Sequence, residues 1–361
     1  MNGENPLTVA LVVPGDPETT SGGFRYDRRL VEQLRATGVD VRVFSVPWRR
    51  YPLGVVDTLG LATGVPNRLS DADVVLVDEL AHPGTVGLAA RLEWSETPVV
   101  ALVHHLQCVE GRSLAPVARR LERLFLQRCS AAVCVSRATE RDVRSLAGKQ
   151  IRTHRAPPPA DQFDPSVTPG DVAVRARTVP FRVVSLGSLV PRKGHATLLR
   201  ALTDLDADWS LAVVGPEPEP NHAAAMRSLT ADLGVRSQVA FHGELSSDDL
   251  TDVLRDSHAL AIPSAYEGFG MAYLEGMGFG LPAVASSAGG AESVVTDGEN
   301  GFLVDPGDVA GVRAALSSLA TDRERLAAMG EAALARFAAH PEWADTVAGV
   351  RAFLTEVAYG G

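Results

Sequence analysis

Short apolar runs that alternate with helix-length segments restrict the fold of this chain more than any other feature of its sequence. The runs of the first half are rich in β-branched residues and lie at Leu7–Val13, Asp73–Val77, Pro98–Val103 and Ala131–Val135, and Asp40–Val46 is a further predicted strand. A strand that is apolar along its whole length is buried on both faces, as in a parallel sheet covered by helices. The first half therefore predicts an α/β domain with a parallel sheet.

The second half repeats this alternation after a break. Pro157–Arg177 is rich in proline and lacks a strand or helix period, so it is predicted to be the linker. Strands are then predicted at Phe181–Leu186, Ser210–Val214, Gln238–Phe241, Leu260–Pro263 and Pro282–Ala285, helices at Gly194–Leu202, Ala223–Leu233 and Asp248–Asp256, and a helical tail at Asp308–Val357. We therefore predict two Rossmann-like α/β domains, residues 1–170 and 171–338, that face a central ligand-binding cleft.

Composition narrows the class of protein. A net charge of −10 and a pI near 5.4 argue against general nucleic-acid binding, which requires a basic face. No apolar run approaches the roughly 18 residues that span a bilayer. Glu4 and the absence of Lys or Arg before the first apolar run favour a buried strand over a signal peptide. Cys108, Cys129 and Cys134 show no metal-site spacing, so a cytoplasmic location is predicted.

The segment His258–Gly280 carries the most informative chemistry. An apolar run is followed by a turn with Glu267, Gly268 and Gly270, and then by a helical pattern that holds Glu275. The first amides of a helix lack partners inside it, and its dipole favours an anion there. Carboxylates on either side repel phosphate but accept hydrogen bonds from hydroxyls, so a nucleotide sugar is the predicted ligand.

This segment has two other possible interpretations. An ordinary helix after a glycine turn needs no ligand and explains the same residues. A dinucleotide fingerprint fails because Tyr273 occupies the place of its third small residue.

Two further loops follow predicted strands. Arg192 and Lys193 lie in the loop after Phe181–Leu186, where cations would neutralise a diphosphate; the alternative is a solvated basic loop. His104 and His105 end a strand of the first domain. Because successive residues point to opposite faces, one of them at most is expected to reach a ligand; the alternative is a structural histidine.

Two further segments each have two possible roles. Gly289 and Gly290 either let the backbone approach the nucleotide or serve as turn residues. The predicted helix Pro116–Arg128 is amphipathic, with Arg119, Arg120 and Arg123 on one side. Such a helix packs on its own sheet or lies on an anionic membrane, so peripheral contact at the inner membrane face is the alternative to a purely cytoplasmic location.

Taken together, these segments resemble glycosyltransferase family 4, retaining enzymes of the GT-B architecture. The resemblance rests on PSAYEGFGMAYLEGMGFGLPAVASSAGGAESV, SGGFRY, VVALVHHL and LGSLVPRKG, and WADTVAGVRAFL resembles the terminal helix that returns to the first domain, here residues 339–361. The resemblance implies that Glu275 binds the ribose, Glu267 the donor sugar hydroxyls, and Lys193 the leaving diphosphate. Ser188 departs from the family pattern, which commonly has arginine there; Arg192 is the candidate replacement.

The resemblance also implies the remaining roles. His104 would face the donor sugar and the acceptor. The catalytic candidates are His104, Glu267 and Lys193, and the donor-binding candidates are Gly22, Gly23, Arg192, Lys193, Gly268, Phe269, Gly270, Met271, Ala272 and Glu275.

The predicted function is metal-independent transfer of a sugar from a nucleoside diphosphate, UDP or GDP, to an acceptor hydroxyl with retention. The sugar nucleotide is a co-substrate, and no cofactor or metal is predicted. The alternatives are a sugar-nucleotide epimerase, a phosphorylase or a non-catalytic nucleotide-sugar-binding subunit. The choice of acceptor is predicted to depend on loops of the first domain that include Tyr26, Trp48–Tyr51 and the segment after His105.

Overall fold

Two compact units make up the chain. The computed structural model describes residues 6–16, 22–47, 69, 71–86, 89, 96–109, 115–159 and 165–360, so Trp48–Tyr51 lie outside the described residues. The first unit comprises Met1–Pro159 and Pro341–Gly361, and the second comprises Ala160–His340.

The first unit contains a parallel sheet in the order β2-β1-β3-β4-β5-β6. Its strands are β1 (Thr8–Pro14), β2 (Asp40–Val46), β3 (Val74–Asp78), β4 (Val99–Val103), β5 (Ala131–Cys134) and β6 (Arg152–Arg155). The helices of this unit that precede the second unit include α1 (Gly22–Ala36), α2 (Ala115–Leu126) and α3 (Arg137–Ala147). The side chains of β3, β4 and β5 are buried throughout, as their apolar sequences predict, and Asp78 at the end of β3 is the one charged residue among them.

The second unit contains a second parallel sheet, in the order β12-β11-β10-β7-β8-β9. Its strands are β7 (Phe181–Leu186), β8 (Trp209–Val214), β9 (Val239–Gly243), β10 (Ala259–Ile262), β11 (Ala283–Ser286) and β12 (Gly301–Val304). Its helices are α4 (Pro169–Arg175), α5 (His195–Thr203), α6 (Pro220–Asp232), α7 (Ser247–Asp256), α8 (Met271–Gly278), α9 (Val309–Thr321) and α10 (Arg323–Ala338). The predicted α/β class with two parallel sheets is confirmed.

Two elements were not predicted. β6 has the sequence RTHR and no fully buried side chain. It is an edge strand, and such a strand can form without an apolar run in its sequence. α4 lies inside the predicted linker, so the prediction of no regular structure there was wrong. It begins with a capping box between Thr168 and Asp171 and with Pro169 at its first position. These start signals are visible in the sequence, but a helix of 7 residues is too short to show a periodic apolar pattern.

The terminal helix α11 (Trp343–Tyr359) belongs to the first unit. It packs against α1 and β6, and the Trp343 ring lies 5.4 Å from the Tyr26 ring, centroid to centroid. In addition, Thr346 donates a hydrogen bond to the Pro157 carbonyl at 3.0 Å. Among the described residues, no helix combines the length and apolar character needed to cross a membrane.

Candidate active site

The turn between β10 and α8 is built around Gly270. Its φ is +103°, in the left-handed region, and a Cβ there would lie 2.5 Å from Cδ2 of Tyr273. Glycine is therefore required for both conformation and space. The Tyr273 hydroxyl donates to the Ile262 carbonyl at 2.6 Å, which ties the first turn of α8 to the end of β10.

The first residues of α8 are the predicted phosphate ligands. Met271 and Ala272 open the helix and are partly exposed, whereas Phe269 before them is buried against His340. The Tyr273 N–H is already donated to the Gly270 carbonyl at 3.0 Å. The amides of Met271 and Ala272 lie at the N-terminal, positive end of the helix dipole.

Glu267 is a buried carboxylate that lies close to two basic side chains of the second unit. Its Oε1 accepts hydrogen bonds from Lys193 Nζ at 2.8 Å and Ser264 Oγ at 2.6 Å, and lies 3.5 Å from Arg192 Nη1. Burial alone would raise the pKa of this carboxyl, but Lys193 and then Arg192 outweigh it and lower the pKa to about 2. Glu267 is therefore ionised throughout the physiological range.

The structure thus pairs groups to which sequence analysis gave separate roles. Lys193, proposed for the diphosphate, is bound to Glu267, proposed for the sugar. Arg192 also donates to the Tyr266 carbonyl at 2.8 Å, so its guanidinium is held beside the same turn. With one carboxylate and two cations, this cluster retains one positive charge next to the start of α8, an arrangement suited to a polyanion.

Gly289 and Gly290 pack against the backbone that carries Glu267. The Gly290 N–H donates to the Glu267 carbonyl at 2.6 Å, and a Cβ on Gly290 would lie 2.0 Å from the Gly268 carbonyl oxygen. The close approach that these glycines permit is to the protein's own chain. Their position favours a turn that fixes Glu267 over direct contact with a nucleotide.

Glu275 and Ser188 complete the predicted donor residues of this unit. Glu275 lies in the second turn of α8 and is only 7% exposed. Ser188 follows β7 in the loop that leads to Lys193, is half-buried, and accepts the Val190 N–H at 2.9 Å through its carbonyl.

In the first unit, His104 lies directly after β4 and is held from two sides. Its Nε2 lies 2.9 Å from Asp27 Oδ1 on α1, and its backbone N–H donates to Glu79 Oε2 at 2.9 Å. Gly23 gives the ring room, since a Cβ there would lie 3.3 Å from His104 Cδ2. Gly22 is the first residue of α1, one position before Gly23.

Asp27, Asp78 and Glu79 were missed by sequence analysis. Two of them directly follow the apolar run of β3, and a polar pair at a strand end was the available signal. The pKa of Asp78 is raised well above its ordinary value, first by burial and then by the charges of Asp27 and Glu79. The pKa of Glu79 is raised chiefly by burial.

Side-chain ligand atoms of Asp27, Asp78 and His104 lie within 4.8 Å of one another, the one such group of three among the described residues. A metal ion at this point would have to displace the bond between Asp27 and His104. The geometry therefore suits a proton network.

Comparison with known proteins is in agreement with this architecture. A solved structure of sucrose-phosphate synthase from Thermosynechococcus elongatus matches 98% of this chain and 100% of its own, with a TM-score of 0.82 at 20% identity. The fold is therefore that of the GT-B proteins. The family described as Glycosyltransferase Family 4 matches residues 20–162, and that described as Glycosyl transferases group 1 matches residues 173–336. The chain belongs to glycosyltransferase family 4, as its motifs indicated.

Two curated relatives share about a third of their aligned residues with the chain. The GDP-mannose-dependent alpha-(1-6)-phosphatidylinositol monomannoside mannosyltransferase of Mycolicibacterium smegmatis is 34% identical over 241 residues, 62% of this chain and 61% of the relative. The D-inositol 3-phosphate glycosyltransferase of Nocardia farcinica is 31% identical over 287 residues, 74% of this chain and 63% of the relative. The chain thus spans about three fifths of the length of these relatives.

Proposed function

We propose that this protein transfers a sugar from a nucleoside diphosphate to an acceptor hydroxyl, with retention at the anomeric carbon and without a divalent metal. The observation that carries the proposal is the cluster of Lys193, Arg192 and Glu267 beside the start of α8. Family membership supports the same reaction class.

The donor is held by the second unit in this proposal. The diphosphate lies at the amides of Met271 and Ala272, with Lys193 and Arg192 as its counter-charges. Glu275 binds the ribose, and Glu267 both orients Lys193 and accepts hydrogen bonds from sugar hydroxyls. A dianionic diphosphate attracts Lys193 more strongly than a single carboxylate does, so donor binding is expected to lengthen the contact between Lys193 and Glu267.

The chemical step breaks the bond from the anomeric carbon to the diphosphate and forms a bond from that carbon to the acceptor oxygen. The leaving diphosphate takes the acceptor proton on the same face of the sugar, which gives retention without a covalent enzyme intermediate. Positive charge fixed in advance stabilises the developing diphosphate, as in other reactions with an anionic leaving group. Arg192, Lys193 and the helix amides supply the charge that a metal ion would otherwise supply.

The relatives suggest which substrates to test. One is described as dependent on GDP-mannose and both names contain an inositol-based acceptor, so we propose a polyol phosphate or its lipid-linked form as the acceptor class.

Nucleotide binding is tested by calorimetric titration of GDP, UDP and their sugars. We expect Glu275→Ala to weaken the preferred nucleotide at least about tenfold, the loss of one or two hydrogen bonds to a charged group. Glu299→Ala, an exposed carboxylate in a turn of the same unit, is the matched control and should bind as wild type. Unchanged affinity in Glu275→Ala would remove Glu275 from the ribose role.

Turnover is tested with GDP-mannose and inositol phosphates, and the product anomer is read by NMR. The proposal requires retained anomeric configuration and full activity in EDTA. Inactivity in EDTA that Mg²⁺ reverses would overturn the metal-independent step. Conversion of the donor alone would indicate an epimerase, and reaction with phosphate a phosphorylase. Binding with neither transfer nor hydrolysis would indicate a non-catalytic subunit.

Contact with a membrane surface is proposed for α2. Arg119, Arg120 and Arg123 are exposed beside Val117, whose side chain is 44% exposed. Co-sedimentation with phosphatidylinositol-containing vesicles should fall when the three arginines are replaced by glutamine and should fall with rising salt. Equal sedimentation of variant and wild type would refute this contact.

A further inference from the structure

The acidic cluster around His104 lies outside every role assigned above. Asp27, Asp78 and Glu79 are 3%, 1% and 1% exposed. Asp27 comes from α1, whereas Asp78 and Glu79 come from the end of β3. Three carboxylates in so small a buried volume cannot all be ionised with a single histidine as counter-charge, because each buried charge requires a partner.

Hydrogen bonding shows where a proton must be placed. Asp78 Oδ1 accepts the Leu80 N–H at 2.8 Å, while Asp27 Oδ2 has no hydrogen-bond partner in the described residues. A proton on Oδ2 of Asp78 would give Asp27 Oδ2 the donor that it lacks. The raised pKa of Asp78, which is due first to burial and then to the charges of Asp27 and Glu79, agrees with this placement.

We propose that Asp27 is a positioning residue for His104, and that a proton held between Asp27 and Asp78 lets Asp27 hold His104 as an imidazolium. The proposal deepens the proposed function, on which its catalytic part rests. Burial alone would lower the pKa of His104, but Asp27 and then Glu79 outweigh it, and the pKa is raised above 6.5.

The consequence concerns which atom of His104 a substrate meets. The Nε2–H bond is committed to Asp27, and the side chain is 11% exposed. A substrate therefore meets Nδ1–H and a positive charge, and His104 stabilises negative charge as a hydrogen-bond donor. It does not act as a base, in agreement with a mechanism in which the leaving diphosphate takes the proton.

The other titratable groups around the ring fit this assignment. The Tyr26 ring lies edge-on to His104 at 5.3 Å, and its hydroxyl donates to the Ala156 carbonyl at 3.0 Å. Burial raises the pKa of Tyr26, so it stays neutral. Glu79 accepts the backbone N–H of His104 and adds negative charge beside it.

The test is NMR titration of the full chain labelled with ¹⁵N-histidine, with His104 assigned by loss of its signal in His104→Gln. In wild type, His104 should titrate above its ordinary value of about 6.5, and Nε2 should carry a proton at every pH below that point. In Asp27→Asn the titration should move below 6.5. Asp78→Asn provides an amide donor in place of the shared proton, so it should keep His104 close to wild type, whereas Asp78→Leu should not. Glu32→Gln, an exposed carboxylate on the same helix that pairs with Arg29, is the matched control.

Activity measurements distinguish a positioning role of Asp27 from a general structural role. We expect Asp27→Asn to lower kcat by about tenfold or more with little change in KM for the donor, and Asp78→Asn to restore most of the wild-type rate relative to Asp78→Leu. Nucleotide affinity, measured by the same titrations as above, should be unchanged in all three variants.

Several results would overturn the inference. One is a wild-type His104 that titrates at or below 6.5, a result that does not depend on whether Asp27→Asn folds. Another is an Asp78→Asn variant that behaves like Asp78→Leu. A third is stoichiometric broadening of the His104 signal by Mn²⁺, which would make the cluster a metal site. Because the titration uses no substrate, absence of transfer would refute the proposed function and leave the NMR result standing.

Discussion

Replacing Glu267 with glutamine should destabilise the second unit in a way that depends on pH. The carboxyl is 8% exposed and its pKa lies at about 2 in the folded chain, against an ordinary value of 4.5. A difference of about 2.5 in pKa corresponds to about 3 kcal/mol of unfolding free energy at pH 7. Loss of one partner of a buried ion pair is of the same order, because Lys193 is left uncompensated.

The sign of the pH effect follows from the direction of the pKa shift. Because the folded pKa lies below the unfolded one, the stabilisation is complete above about pH 5 and is lost as pH falls toward 2. About 1 kcal/mol should be lost by pH 4 and about 2 kcal/mol by pH 3. The gap between wild type and Glu267→Gln should therefore narrow steadily with acid.

Scanning calorimetry and urea unfolding measure this difference. For a unit of about 180 residues, 3 kcal/mol corresponds to a fall in Tm of roughly 6 to 12 °C at pH 7. Glu217→Gln is the matched control, since Glu217 pairs with Arg227 at the surface of the same unit and should cost at most about 1 kcal/mol. A Glu267→Gln effect below 1 kcal/mol, or one that is constant between pH 7 and pH 3, would refute the reasoning.

Two further substitutions test other parts of the chain. Gly270→Ala should cost about 1–3 kcal/mol and weaken nucleotide binding, because its Cβ meets Tyr273. Gly307→Ala, at φ +80° with open space, controls for backbone strain alone, and equal costs would contradict the steric argument. Trp343→Ala should cost about 3–5 kcal/mol in the first unit through lost packing on Tyr26, measured by faster amide exchange in α1 and β6. Exchange that rises only in the second unit would contradict this assignment.

The sequence was sufficient for the parts of the fold that depend on local patterns. Buried parallel strands such as β4 are apolar at every position, and the glycine turn before α8 has a chemical signature of its own. β6 could not be found in this way, because an edge strand can be polar along its whole length.

In the candidate site, likewise, local sequence identifies individual residues but does not show the contacts between distant segments. Lys193 and Glu267 were both identified from their loops, but their 2.8 Å contact joins residues 74 positions apart and depends on the order of β7 and β10 in the sheet. Asp27 and His104 are 77 positions apart. The apolar residues of the helix that holds Asp27 are sufficient to explain why this face of the helix is buried. Nothing local in either segment shows that they meet.

The placement of α11 in the first unit also determines the order in which the molecule can fold. The second unit is continuous in sequence, whereas the first is interrupted and needs Trp343 and its neighbours to complete the surface of α1 and β6. During synthesis, residues 160–340 can therefore fold before the first unit has all of its parts. The Tyr26 ring, which lies edge-on to His104, also contacts the ring of Trp343, a residue more than 300 positions later. An incompletely synthesised chain would accordingly contain a folded second unit before the histidine cluster of the first unit is complete.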